Sequence, residues 1–282
     1  VNWNGGLHIL RALESLRTST LKPFHTVVID NASTDGSTAA IARYHDEAVL
    51  ITNKANDGFA IAANHGMRWA FERGAEFVFL LNNDAEIGPA TLAELVAGAR
   101  RHPRAGMIAP KIMLNDDRRI WCTGVKIGFF PNLQQLRGFL KVDRGQYEKE
   151  EAVEAVTGCG LLIPRSFIDD IGYFDTQFFV YLEDIDLARR GAAGGWSCLY
   201  VPTAVMRHRP GLSTGGGYSA TRKYLMAYHL VLFLKKHGDF ARWVAFFLFE
   251  ILLWPALFAA SLVSGKSGAV RAKWRGTWGA LL

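Results

Sequence analysis

Cysteine is scarce in this 282-residue chain: Cys122, Cys159 and Cys198 lie far apart, with no paired spacing to suggest a zinc site or a disulfide framework. A reducing compartment fits that usage. No predicted strand is followed by a Gly-x-Gly-x-x-Gly turn, which counts against a dinucleotide enzyme of the Rossmann type. Internal repeats and low-complexity tracts are absent, and so is a basic-then-apolar signal segment at the N-terminus. The chain opens at Val1 rather than Met and enters Asn2-Trp3-Asn4-Gly5-Gly6 directly, so a first strand, with Val1 as its last trace, is expected to precede this loop. Acid is nearly missing from the C-terminal quarter: after Arg207 only Asp239 and Glu250 oppose a series of Lys and Arg residues. The net charge of +6 therefore sits beside the most hydrophobic part of the chain, which favours an anionic membrane surface over nucleic acid as its partner.

Half the residues are apolar, enough for a large buried core. The first half alternates helical and strand-like segments: Leu7–Leu16, Thr26–Asp30, Ser37–Tyr44, Val49–Thr52, Gly58–Phe71, Phe77–Leu81 and Pro89–Arg101. Such repetition predicts a parallel, doubly wound α/β sheet, with chemistry at the carboxyl ends of its strands. The pattern loosens from Met107 to about Val156, then returns at Val156–Pro164, Phe178–Arg190 and Cys198–Pro202. Tyr218–Lys236 reads as an amphipathic helix. Trp243–Val263 is a 21-residue apolar stretch interrupted only by Glu250 and Pro255, long enough to span a bilayer, though a helix buried against the rest of the protein would read the same way.

The residues after the apolar runs are polar and specific. Asp30-Asn31-Ala32-Ser33-Thr34-Asp35-Gly36-Ser37 puts two carboxylates in one strand-to-helix turn, where they can cap the next helix or accept from a base N–H or a ribose hydroxyl. Asn56, Gly58 and Asn64 belong to a Gly-opened helix of small residues, suited to close packing or to phosphate at its N-terminus. Asn82-Asn83-Asp84 follows five apolar residues; it reads as a polar turn, or as hard oxygen ligands for a divalent ion that bridges phosphates. Glu183 and Asp184 open a helix whose dipole favours them, and either could deprotonate an acceptor hydroxyl. Asp186 is one turn from Arg190 and is expected to pair with it. His208 ends the apolar run from Tyr200 and is either a structural hydrogen-bonding residue or a ligand of metal or diphosphate.

Taken in order, these segments resemble the inverting family 2 glycosyltransferases of the GT-A fold, especially their bacterial rhamnosyltransferase-like branch. The matching stretches are Val1–Asn4, Val28–Ser37, Asn56–Gly66, Leu80–Ala85, Thr157–Gly160, Phe178–Arg190 and His208-Arg209-Pro210-Gly211-Leu212-Ser213. The resemblance implies that Asn4, Asp30, Ser33 and Asp35 line the base pocket, and that Asn82-Asn83-Asp84 stands for an Asp-x-Asp metal motif whose first acid is Asn82. It further implies Asp184 as general base with Glu183 beside it, Gly158 against the donor sugar, and His208 at the metal or diphosphate. The expected architecture is a GT-A mixed, doubly wound sheet flanked by helices over residues 1–238, with a nucleotide-sugar half at 1–110 and an acceptor half at 111–238. A hydrophobic and basic helical tail at 239–282 would meet the cytoplasmic face of the inner membrane.

The expected activity moves a sugar from a nucleotide-diphosphate donor to a glycan or lipid-linked hydroxyl, with Mg²⁺ or Mn²⁺ as cofactor and inversion at the anomeric carbon. Rhamnose from a dTDP donor is a family-level expectation. A homodimer is left open. The alternative is a degenerate member that binds nucleotide sugar or glycan without turnover, since Asn82 leaves Asp84 the only carboxylate of its motif.

Overall fold

A computed structural model describes residues 1–45, 47–128, 134–209, 219–263 and 265–282. In chain order its elements are α1 (His8–Arg17), β1 (Val27–Asp30), α2 (Ser37–Tyr44), β2 (Val49–Thr52), α3 (Phe59–Glu72), β3 (Phe77–Leu81), β4 (Ala85–Ile87) and α4 (Thr91–Arg101). Then come β5 (Ala105–Met113), β6 (Ile120–Cys122), β7 (Val125–Ile127), β8 (Gln134–Leu136), β9 (Glu151–Val153), β10 (Gly160–Pro164), α5 (Arg165–Ile171), α6 (Glu183–Ala193) and β11 (Ser197–His208). The chain ends in α7 (Ala220–His237), α8 (Phe240–Phe246), a π-helical stretch (Phe247–Leu252), α9 (Trp254–Val263) and α10 (Ser267–Leu281).

The main sheet has seven strands, with β3-β10-β5-β11-β4 as its path, β6 added beside β5 and β9 beside β11. It is mixed, as expected of the fold class, but the parallel sheet that strand–helix repetition alone predicts is not what forms. Within the main sheet β5 and β11 run parallel, whereas β10 is antiparallel to both β3 and β5. The parallel pair β1 and β2 stands as a separate sheet, joined at its edge by an Asn2–Asp30 bridge. Local alternation cannot reveal that β10, a late strand, inserts between β3 and β5.

Strands β5 and β10 are buried along their whole length, which is why they read as continuous apolar runs rather than alternating ones. Met67 and Phe71 of α3, Phe167 of α5 and Ile185 and Leu187 of α6 pack with the sheet residues Met107, Ile112, Leu161, Ile163 and Met206 into one core. The sheet is the platform; the ends of β1, β3, the start of β10 and the end of β11 carry the polar residues.

The tail departs from its expectation. Among the described residues no helix is long and apolar enough to cross a membrane. The stretch Trp243–Val263 breaks into α8, a π turn and α9, and Pro255 stands in the first turn of α9, where its missing N–H costs nothing but where no helix can run in from upstream. Helix α10 then folds back along α7. The backbones touch there, since a Cβ at Gly276 would lie 2.3 Å from the Tyr224 carbonyl oxygen, and Lys235 Nζ donates to the Ala280 carbonyl at 2.6 Å. Trp254 packs on Trp274 with ring centroids 4.4 Å apart.

Candidate active site

The turn after β1 is built around a residue that sequence reasoning did not single out. Asn2 is fully buried, and its amide nitrogen donates to Asp30 Oδ1 at 2.8 Å, Ser37 Oγ at 2.9 Å and Ser33 Oγ at 3.2 Å. Its amide oxygen accepts from Asn83 Nδ2 at 3.1 Å, which ties the first loop to the end of β3. Gly5 lies over this bond, where a Cβ would fall 2.4 Å from the Asn2 oxygen. Asp30 accepts in addition from the Ser33 hydroxyl at 2.6 Å and the Ser33 amide at 2.9 Å. Asn4 sits at φ 48° and is held by its own amide to Ser33 Oγ and by its side-chain oxygen to the Thr34 amide. Asp35 accepts from Gly6 N at 2.7 Å and from Ser37 N at 3.0 Å, so it also does the capping work that its position allows. Asn4, Asp30, Ser33 and Asp35 are thus one hydrogen-bonded loop.

Three expected donor contacts have other partners. Asn64 is buried on α3, and both ends of its amide are bonded to the Phe174 backbone, at 2.9 and 3.1 Å, so it clamps two segments together. Gly58 is required by its φ of 91° and by the Phe179 carbonyl oxygen, which a Cβ would approach to 2.4 Å. That carbonyl accepts from Phe59 N at 2.7 Å, so one of the first N–H groups of α3 is taken by protein backbone. Asn56 Oδ1 accepts from Gly58 N at 3.1 Å, a local turn bond.

Asn82, Asn83 and Asp84 form the turn between β3 and β4, with the Asn82 carbonyl accepting from Ala85 N at 3.2 Å. The turn reading and the ligand reading are both served. His208 pairs across the sheet with Ala85, and its Nε2 meets Asp84 Oδ1 at 3.1 Å. Trp121 stands edge-on to the imidazole, ring centroids 4.5 Å apart. The other ring nitrogen, Nδ1, is buried with no hydrogen-bond partner. The Nε2–Oδ1 contact puts an imidazole nitrogen and a carboxylate oxygen side by side, N and O donors of the kind a divalent ion uses, and the pair fits an ion that takes its remaining ligands from diphosphate and water, while Nδ1 points away from Asp84. Among the described residues no cluster of three or more His, Cys, Asp or Glu forms a complete protein cage. Pro210, Gly211, Leu212 and Ser213, expected to follow His208 in this region, lie outside the described residues.

Strand pairing brings the second carboxylate group to the same place. Gly160 pairs with Leu81, and Asn82 N donates to the Cys159 carbonyl at 3.0 Å. Two residues back, Gly158 N donates to Asp184 Oδ2 at 2.9 Å. The Gly158 amide is thus engaged by the acid. Asp184 Oδ1 accepts from Ile185 N at 2.8 Å and from Gln134 Nε2 at 3.3 Å. Burial pushes the Cys159 thiol well up, and the charges of Asp84 and Asp184 add to that push, so both carboxylates act on one buried sulfur.

Burial pushes the Asp184 carboxyl up to about 6, against the opposing bonds from Gly158 and Ile185. Glu183 is pushed well above the ordinary carboxyl range, first by burial and then by the charge of Asp184, and its Oε2 has no partner. Tyr181 and Leu182 enter this helix at φ 73° and 71°, left-handed conformations that non-glycine residues hold only when the surroundings impose them. Asp186, two residues on, bonds Arg190 at 2.8 Å as the spacing predicts, and also Lys236 at 2.6 Å and His237 at 2.8 Å. Linear sequence could not show the last two, which come from α7.

The model of the glycosyl transferase family 2 matches residues 2–172. An N-acetylglucosaminyl-diphospho-decaprenol L-rhamnosyltransferase of Mycobacterium tuberculosis is 29% identical over 243 residues, 76% of this chain and 76% of that protein. Among solved structures, a mannosyltransferase of Pyrobaculum calidifontis in complex with GDP-Man and Mn²⁺ superposes with a TM-score of 0.63 at 20% identity, covering 99% of this chain and 85% of its own. GalNAc-T7 with UDP, GalNAc and Mn²⁺ gives a TM-score of 0.60 at 15% identity, over 91% of this chain and 55% of that one. Both share the fold.

Proposed function

The chain belongs to glycosyl transferase family 2, and from that premise we propose that it transfers a sugar from a nucleotide-diphosphate donor to a hydroxyl of a lipid-linked glycan, with inversion at the anomeric carbon. The observation that carries the reading is that the buried pair Glu183–Asp184, bonded to Gly158, and the Asp84–His208 pair are tied to adjoining ends of the paired strands β10 and β3. In the proposed reaction the acceptor oxygen bonds to the anomeric carbon while the bond from that carbon to the diphosphate oxygen breaks. Asp184 takes the acceptor proton, and its raised affinity for protons suits a base that works near neutral pH. Glu183, kept protonated, can donate to an acceptor oxygen and so help orient it. Asp84 and His208 Nε2, which already lie side by side, would hold the divalent cation, whose chemistry is to stabilise charge on the departing diphosphate. Asp30, with Asn4, Ser33 and Asp35, would frame the base pocket.

The relative from Mycobacterium tuberculosis carries a rhamnosyl donor and a diphospho-decaprenol acceptor in its name. We extend both classes to this chain, with rhamnose on a dTDP carrier as the first donor to test. The division into a catalytic part at 1–238 and a helical tail at 239–282 belongs to the same reading. Phe240, Leu252, Leu262 and Val263 of that tail expose 59–93% of their surface beside Lys266, Arg271, Lys273 and Arg275. Such a surface suits docking in the plane of an anionic bilayer, at the cytoplasmic face where a lipid-linked acceptor would be met.

The deciding experiment mixes the protein with Mn²⁺ or Mg²⁺, a panel of nucleotide sugars led by dTDP-rhamnose, and a polyprenyl-diphosphate sugar acceptor. Transfer in the wild type, lost in Asp84→Ala and in Asp184→Asn, supports the reading. Donor binding without turnover under either metal would favour the degenerate binding protein that Asn82 suggests. Turnover unchanged in both variants would sink the assignment.

A further inference from the structure

Asp184 owes its position to a segment that does not hold itself. Tyr181 and Leu182, consecutive and both left-handed, sit directly before Glu183, the first residue of α6. Such a pair persists only where neighbouring groups over-determine the backbone. The neighbour here is His229 of α7: its Nε2 accepts from Phe179 N at 3.2 Å and its Nδ1 donates to the Val180 carbonyl at 2.8 Å. Accepting an amide N–H at Nε2 requires the neutral imidazole with its proton on Nδ1, so the two bonds also fix the tautomer. The ring is 2% exposed and is gripped by Phe178 and Tyr228, with centroids 5.5 and 5.7 Å away. On its other side the same backbone stretch reaches the donor half, where the Phe179 carbonyl accepts from Phe59 N at 2.7 Å. Helix α7 is further bound to α6 through Lys236 and His237, which both meet Asp186.

We propose that His229 is a positioning residue for the transfer reaction, its ring fixing the Phe179–Leu182 backbone and with it the direction in which Asp184 meets the acceptor hydroxyl. The inference rests on the reading of Asp184 as the base. A backbone segment freed of both bonds can shift by a fraction of an ångström to an ångström, which an oriented proton transfer registers steeply, whereas the loop of Asn4, Asp30, Ser33 and Asp35 proposed for the base is held by its own hydrogen bonds and by Asn2.

The test measures kcat and donor KM with Mn²⁺, dTDP-rhamnose and a polyprenyl-diphosphate sugar acceptor. His229→Phe keeps ring volume and removes both bonds; kcat is expected to fall about 100-fold with donor KM within about two-fold. His229→Asn can still reach the Val180 carbonyl but not the Phe179 amide, and its kcat is expected to fall about 10-fold. A cooperative thermal melt establishes that each variant is folded, and the Asn variant carries the test if the Phe variant is not. A folded variant of either kind with the wild-type kcat, or one whose donor KM rises in step with the loss, overturns the proposal. Asp184→Asn is assayed in parallel: full turnover there rejects the base itself, an outcome read independently of the His229 series.

Discussion

The sharpest consequence of the buried acid pair is the position of the acid limb of the pH–rate profile. A carboxyl raised from its ordinary 3.8 to about 6 has lost about 3 kcal/mol of preference for its charged form, the balance of burial against the bonds from Gly158 and Ile185. If the ionised form of Asp184 accepts the proton, kcat/KM for the acceptor falls with unit slope below about pH 6, and the rate at pH 5 is about one tenth of its plateau. The cation and the diphosphate bring opposite charges to the site, so the limb is expected to stay within about one unit of that value. Glu183 supplies the control. Held protonated by burial and by the Asp184 charge, it adds no charge of its own when Asp184 ionises. Glu183→Gln should therefore leave the limb within about half a unit of the wild type. A charged Glu183 would instead let the limb drop by more than about one unit on substitution. The assay is initial-rate transfer between pH 4.5 and 8.5 at two saturating cation concentrations, so that a limb due to cation binding is recognised by its movement. A wild-type limb below about 4.5, or a large downward shift in Glu183→Gln, would refute the argument.

The same pair should be costly to stability. A carboxyl whose folded affinity for protons is raised stabilises the fold fully below its unfolded value and loses that contribution as pH rises, so Glu183→Gln should melt higher than the wild type at pH 7 to 8, with the difference vanishing near pH 4. Calorimetric melts across that range check it. Asp186 has the opposite sign: Lys236, His237 and Arg190 outweigh its burial and hold it down at about 2, so its contribution is present above the ordinary carboxyl value and is lost as the pH falls toward 2. Asp186→Asn leaves Arg190 and Lys236 facing a neutral group and should cost about 1.5–3 kcal/mol in urea denaturation. His208→Ala removes the imidazole nitrogen beside Asp84 and should raise the Mn²⁺ concentration needed for half-maximal turnover by about 10- to 100-fold. An unchanged Mn²⁺ requirement would take His208 out of the cation site.

Much of the site could be read from order along the chain, because strand ends in an α/β sheet are where ligands gather and the polar residues after Ile29, Leu81 and Met206 stand out against apolar runs. Individual roles were less legible. Asn64 and Gly58 looked available for a donor since nothing in a helix of small residues announces that Phe174 and Phe179, more than a hundred positions later, will come to occupy them. Strand–helix alternation alone pointed to a parallel sheet where the family resemblance implied the mixed one that forms, for a related reason: alternation reports local structure, while the insertion of β10 between β3 and β5 depends on contacts across more than fifty residues. In the tail Pro255 already marked an interruption of the apolar stretch, and what the residue count left open between spanning and folding back is divided by that proline and a π turn.

Asn2 shows most clearly what a linear reading misses. One amide serves Asp30, Ser33, Ser37 and Asn83, and so couples the β1 turn to the β3 turn that carries Asp84. Its partners lie 28 to 81 residues away, and each alone is an ordinary polar residue of a turn. The burial of Asn2 is the informative fact. A fully buried amide is tolerated when its hydrogen bonds are met, and here they are met by residues of the two loops expected to hold base and diphosphate. On the proposed reading, that arrangement sets the nucleotide and cation sites relative to each other before any ligand arrives. Asp184 is placed differently, through Gly158 on the sheet and through the left-handed Tyr181–Leu182 entry held by α7. The proposed donor side therefore rests on a satisfied polar network, whereas the proposed acceptor side rests on strain and a buried acid pair, and substitutions should separate along that line: losses at Asn2 in donor affinity, losses around Asp184 in turnover.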